Sequence, residues 1–105
     1  MALTFIAASL AAADVYSGPV SATQGLVLSL TGTFVATVTL QRLQDNTTLA
    51  SPTWVDVINA SGAITTFTTV GAYSITVPNI TGVYRFGIKP LGFTSGTVAG
   101  VLAAR

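Results

Sequence analysis

Thr33-Phe34-Val35-Ala36-Thr37-Val38-Thr39-Leu40-Gln41-Arg42 sets the fold class. Phe34, Ala36, Val38 and Leu40 fall on one side of an extended chain; Val35, Thr37, Thr39 and Gln41 fall on the other. A period of two with one apolar side is the mark of a strand with a buried face. Upstream, Gly25 to Leu30 repeats it, with Leu26, Leu28 and Leu30 on one face. Thr31-Gly32-Thr33 joins the two strands as a hairpin turn or as a corner between two sheets.

Downstream, Gln44 to Pro52 is polar, and Asp45-Asn46 favours a turn. In Thr53 to Ile58, Trp54 and Asp56 share one side while Val55 and Val57 share the other; the side of Trp54 is expected to cover the core or a subunit contact. Asn59 to Gly62 turns. Ile64 to Val70 is rich in β-branched residues. Tyr73 to Val77 alternates up to Pro78, and Asn79 to Gly82 turns again. Val83 to Lys89 sets Tyr84, Phe86 and Ile88 against Val83, Arg85, Gly87 and Lys89. Pro90 to Ser95 is a loop tipped by Leu91 and Phe93. Gly96 to Ala103 is a last strand, in which Gly100 signals a bulge or the close approach of another backbone. No stretch carries the caps and 3.6-residue period of a long helix. Seven or eight short strands with turns every 8–12 residues predict an all-β fold, an antiparallel β-sandwich of immunoglobulin-like or jelly-roll-like form.

The first residues, MALTFIAASLAAA, are apolar and uncharged. A secretory signal would carry Lys or Arg ahead of its apolar run, and none precedes this one. Residues 1–19 are read as an N-terminal arm or first strand over Leu3 to Ala8, with the following alanines able to turn helical. Residues 20–105 are read as the sandwich. Removal of residues 2–13 is expected to leave that sandwich folded.

The chain of 105 residues has no Cys and no His, and only seven of its residues are charged. Seven per cent charge compares with about 25% in an ordinary soluble domain. Without Cys there is no disulfide or thiolate metal site. Without His the commonest general base and metal ligand are missing. A net charge of +1 offers no basic stripe for phosphates, so no nucleic-acid partner is expected. Mean hydropathy is +0.72, yet Thr, Ser, Gly and Asn interrupt every apolar run before the ~20 residues a membrane helix needs. No membrane partner is expected. A surface so poor in charge is prone to association, and the economical reading is that other subunits cover much of it.

Catalytic chemistry finds no constellation. Asp45 reads as a turn former and Asp56 as a strand residue able to pair with Arg85 or Lys89, not as the close carboxylate pair of a glycosidase. Ser and Thr are abundant but have no base to activate them. No enzyme activity, metal or cofactor is expected. Arg42, Arg85 and Lys89 would form a small basic patch if their strands neighbour one another. Trp54 is a candidate platform for a sugar. The candidate interaction residues are Leu3, Phe5 and Ile6 in the arm, and Leu91 and Phe93 on the loop tip, where exposed apolar side chains often mark a binding surface.

Two runs carry a resemblance. Gly32-Thr33-Phe34-Val35-Ala36-Thr37-Val38-Thr39-Leu40-Gln41-Arg42 leads through a polar loop to Thr53-Trp54-Val55-Asp56-Val57. Gly82-Val83-Tyr84-Arg85-Phe86 is followed by Gly92-Phe93-Thr94-Ser95-Gly96-Thr97-Val98. This resembles small β-sandwich structural proteins of tailed-bacteriophage particles, which carry a G-x-F-x-x-T-V-x-L-Q-R-S-x-D-G-G-x-T-W-x-x-V hairpin and a G-x-Y-R strand. The hairpin loop departs from the pattern: Leu43-Gln44-Asp45-Asn46 and a longer insert stand in place of Ser-x-Asp-Gly-Gly. The resemblance implies a virion protein, assembled in the host cytoplasm: a head decoration (cement) protein on the major capsid protein, or else a neck, tail or fibre component. It implies a homo-oligomer such as a trimer. A carbohydrate- or host-surface-binding module is the alternative from another class.

Overall fold

The computed structural model describes residues 4–44, 53–58, 64–75 and 81–104. Leu3, the Asp45-Asn46 and Asn59 to Gly62 turns, and residues 76–80 lie outside them. The described residues form twelve strands: β1 (Thr4–Leu10), β2 (Val15–Tyr16), β3 (Val20–Ala22), β4 (Leu26–Thr31), β5 (Phe34–Ala36), β6 (Val38–Leu43), β7 (Trp54–Asp56), β8 (Thr66–Phe67), β9 (Gly71–Ile75), β10 (Gly82–Ile88), β11 (Phe93–Gly96) and β12 (Val98–Ala104). One sheet runs β1-β12-β4-β9. The other runs β2-β10-β6-β7, with β3 also on β10 and β8 also on β6. A ribbon of β5 and β11 completes the fold, and the paired strands are all antiparallel. The expected β-sandwich is present.

The alternation seen in the sequence is what fills the space between the sheets. Leu26, Leu28 and Leu30 from β4 meet Tyr84, Phe86 and Ile88 from β10 and Val38 and Leu40 from β6; none is more than 3% exposed. Fully burying side chains of this kind contributes about 1.5–3 kcal/mol each. The stretch from Phe34 to Leu43 does not stay in one sheet. β5 pairs with β11, and after Thr37 the chain enters the large sheet as β6 beside β10. The Thr31-Gly32-Thr33 turn is therefore a corner between sheets and not a hairpin, since β4 pairs with β12 and β9. Gly32 makes the corner at φ 102°, and a Cβ there would meet the Thr97 carbonyl oxygen at 2.5 Å.

Two expectations change. Gly100 forms no bulge, because the β1–β12 and β12–β4 registers run unbroken through it. What approaches it is a ring and not a backbone: a Cβ on Gly100 would meet Cε2 of Phe86 at 2.6 Å. The segment read as an arm is an edge strand. β1 pairs with β12 over seven residues, from Thr4↔Ala104 to Leu10↔Val98, and Leu10 is fully buried in the core. β2 lies on β10. Two strands from residues 1–19 thus belong to the sheets formed by residues 20–105, and no helix follows β1.

Candidate functional site

The two sheets turn chemically opposite outer faces to solvent. On the six-stranded sheet, inward Tyr84, Phe86 and Ile88 force Arg85, Gly87 and Lys89 outward. Gly87 faces Tyr16 across the β10–β2 pair, and a Cβ there would collide with the Tyr16 ring and come within 2.6 Å of the Val15 carbonyl oxygen. The bare glycine lets that ring lie flat on the sheet. The Arg85 guanidinium carbon then stands 3.9 Å from the Tyr16 ring centroid and 4.5 Å from that of Trp54. Both are within cation–π range.

Hydrogen bonds extend this row. Arg85 Nε donates to Gln41 Oε1 at 2.9 Å, and Gln41 Nε2 donates to Asp56 Oδ1 at 3.0 Å. Lys89 Nζ donates to Asp56 Oδ2 at 2.6 Å as an ion pair. Burial by itself would raise the Asp56 carboxyl, but the hydrogen bonds from Lys89 and Gln41 and the charge of Lys89 outweigh it, and the group falls below 3.8. The hydrogen bond and charge of Asp56 raise Lys89. Desolvation lowers Arg85. Burial and the nearby Asp14 carboxylate raise the Tyr16 phenol. Four of the five charged side chains among the described residues, Asp14, Asp56, Arg85 and Lys89, belong to this face. Arg42 faces away and donates to the Thr81 carbonyl at 2.8 Å, so the expected Arg42–Arg85–Lys89 patch does not assemble. On this face Lys89 pairs with the Asp56 carboxylate and two rings hold Arg85, so these side chains form one connected network.

Among the described residues, the outer face of β1-β12-β4-β9 carries no charge. Register makes it three rows: Phe5–Ala103–Val27–Ser74, Ala7–Val101–Ser29–Ala72 and Ser9–Ala99–Thr31. Phe5 is 65% exposed. The other side chains are small or β-branched, so the face is flat. A cavity of about 630 Å³ opens at one end, between Gln24 to Val27, Ser74, Ile75 and Ala103, and none of the described residues lining it is ionisable.

A third feature is the tip beside the β5–β11 ribbon. Gly92 N–H donates to the Lys89 carbonyl at 2.9 Å, and Thr37 N–H donates to the Gly92 carbonyl at 2.7 Å. This tight turn leaves Leu91 at φ 72° and wholly exposed, next to exposed Val35. A leucine with positive φ is strained, and nothing in the core gains from it.

The sequence-proposed interaction residues are not brought together. Phe5 and Leu91 are exposed, but Phe5 lies opposite Ala103, near the end of β12, while the tip precedes β12 and leads through β11 to its start at Val98. Five residues of strand, about 17 Å, separate Phe5 from the Leu10–Val98 end. Ile6 and Phe93 turn inward and pack against the core, so neither is free for a partner. Leu3 lies outside the described residues. Trp54 covers Arg85, not the core. Asp56 does pair with Lys89, as one of the two partners expected. Tyr16 and Gln41 escape sequence reading: Asp14 to Pro19 reads as a connection, and only the Gly87↔Tyr16 register of the two-residue strand β2 reveals the role of Tyr16. Comparison with protein-family models, curated proteins and solved structures finds no match.

Proposed function

We propose that this chain is a structural subunit of a tailed-bacteriophage particle, a decoration protein that binds the major capsid protein and stabilises the shell. The observation that supports this reading best is the outer face of β1-β12-β4-β9, which is free of charge over its described residues. Water solvates such a face poorly, and another protein surface covers it without stranding a charge. Shell binding is then mechanical: each subunit spans neighbouring capsid subunits, and many copies on one particle add by multivalency. The strained, exposed Leu91 supplies a second apolar contact. The resemblance of the Gly32 to Val57 and Gly82 to Val98 runs to small virion sandwiches supports the same reading.

The test is co-sedimentation with phage heads stripped of accessory proteins. Hundreds of copies per head are expected. Val101→Glu places a carboxylate mid-face, at a side chain 37% exposed, and leaves the core untouched. It should weaken binding about 100-fold, the effect of burying one unpaired charge. A dozen copies or fewer would move the chain to a neck or tail; absence from every head would end the proposal. The carbohydrate reading draws on Tyr16 and Trp54 sharing one face, but Arg85 already lies against both rings. Quenching of Trp54 fluorescence by sugars would revive it.

A further inference from the structure

We propose that β1 is a dimerisation strand: β1 of one copy pairs antiparallel with β1 of a second copy across a two-fold axis near Ala7, making one continuous eight-stranded sheet. This does not depend on the particle reading. β12 occupies one side of β1 over all seven residues, and among the described residues no strand occupies the other. In an antiparallel ladder about half of a strand's N–H and C=O groups point to each side, so the outer half of β1 is an open template.

Folded proteins blunt such edges with Pro, charge, bulges or shortness. The corresponding edge of the other sheet is blunted. β2 and β3 together form it, and they are interrupted at Ser17, Gly18 and Pro19, where Ser17 Oγ accepts from Phe86 N–H at 3.1 Å. β7 has three residues and carries Asp56. The described part of β9, Gly71–Ile75, opens on a glycine at φ 149°. β1 has seven in unbroken register, with no Pro, Gly or charge.

The absence of charge points to a second copy as the occupant. A two-fold axis sets the strand against its own reverse, so any charge near the centre would meet itself across about 5 Å. Thr-Phe-Ile-Ala-Ala-Ser-Leu has none, and Ala7 at its midpoint brings no bulk to the axis.

The experiment uses the purified full chain and light scattering, without particles. Wild type should show twice the 10.7 kDa monomer mass. Ala7→Lys and Ala7→Glu, each at an exposed side chain, should each remain folded by circular dichroism. Each should dimerise about tenfold or more weakly, and mixing the two should restore a dimer. The chain has no cysteine, so Ala7→Cys should give a disulfide-linked dimer on mild oxidation, while Ala72→Cys on β9 should not. The antiparallel Cα spacing of 4.5–5.5 Å suits a disulfide. A monomer, a trimer, fibres built by β1–β9 pairing, or a dimer indifferent to both Ala7 charges would each overturn the proposal. Loss of particle binding with the dimer intact would instead count against the decoration role alone.

Discussion

Leu91 and Asp56 show how far single residues diverge in purpose here. Leu91 holds a left-handed backbone, costing about 1–2 kcal/mol, to present a side chain that touches nothing in its own core. Leu91→Gly is expected to raise stability by about 1 kcal/mol by urea denaturation while weakening co-sedimentation with heads. A fall in stability would mean the leucine packs usefully where it is. Asp56 ties β7 to Lys89 and Gln41. Its folded-state value lies below the ordinary 3.8, so its contribution is fully present above about pH 4 and is lost as pH falls through the lower folded value. Asp56→Asn should flatten the acid limb of Tm against pH below about pH 4 and cost up to about 1 kcal/mol at neutral pH. An unchanged acid limb would show that the ion pair contributes nothing. Neither role was fully legible beforehand. Lys89 was a named candidate for Asp56, but Gln41 was not, because register across β6, β7 and β10 brings them together.

At the scale of elements, β1 revises the expectation most. An uncharged, alanine-rich start looks detachable, yet Leu10 is fully buried, and Ile6 and Ala8 pack on the core from the same strand. Deleting residues 2–13 is therefore expected to cost about 4 kcal/mol or more, much of the stability of a domain this size, and not to leave an intact sandwich. An unchanged urea midpoint in the truncated chain would show β1 to be dispensable. Part of this was readable in advance. Phe5 and Ile6 are consecutive in a strand, so one of them must face inward. Which one does so depends on the partner strand, and β12 lies at the far end of the chain.

For the whole molecule, the partition of charge between the two sheets is the organising fact. Seven charges in 105 residues are visible in the composition, but the gathering of four of them, Asp14, Asp56, Arg85 and Lys89, on the β2-β10-β6-β7 face depends on which strands become neighbours. The sequence by itself determined the all-β class and the inward faces of β4, β6 and β10. Those follow from local alternation and residue inventory, which need no partner to be read. Tertiary structure decided the corner at Gly32, the ring of Phe86 over Gly100, the Tyr16–Arg85–Trp54 stack, and the membership of β1 in the sandwich. Each depends on pairing between residues distant in the chain. Period-two alternation states that a strand has an inside, and says nothing about which strand will lie beside it.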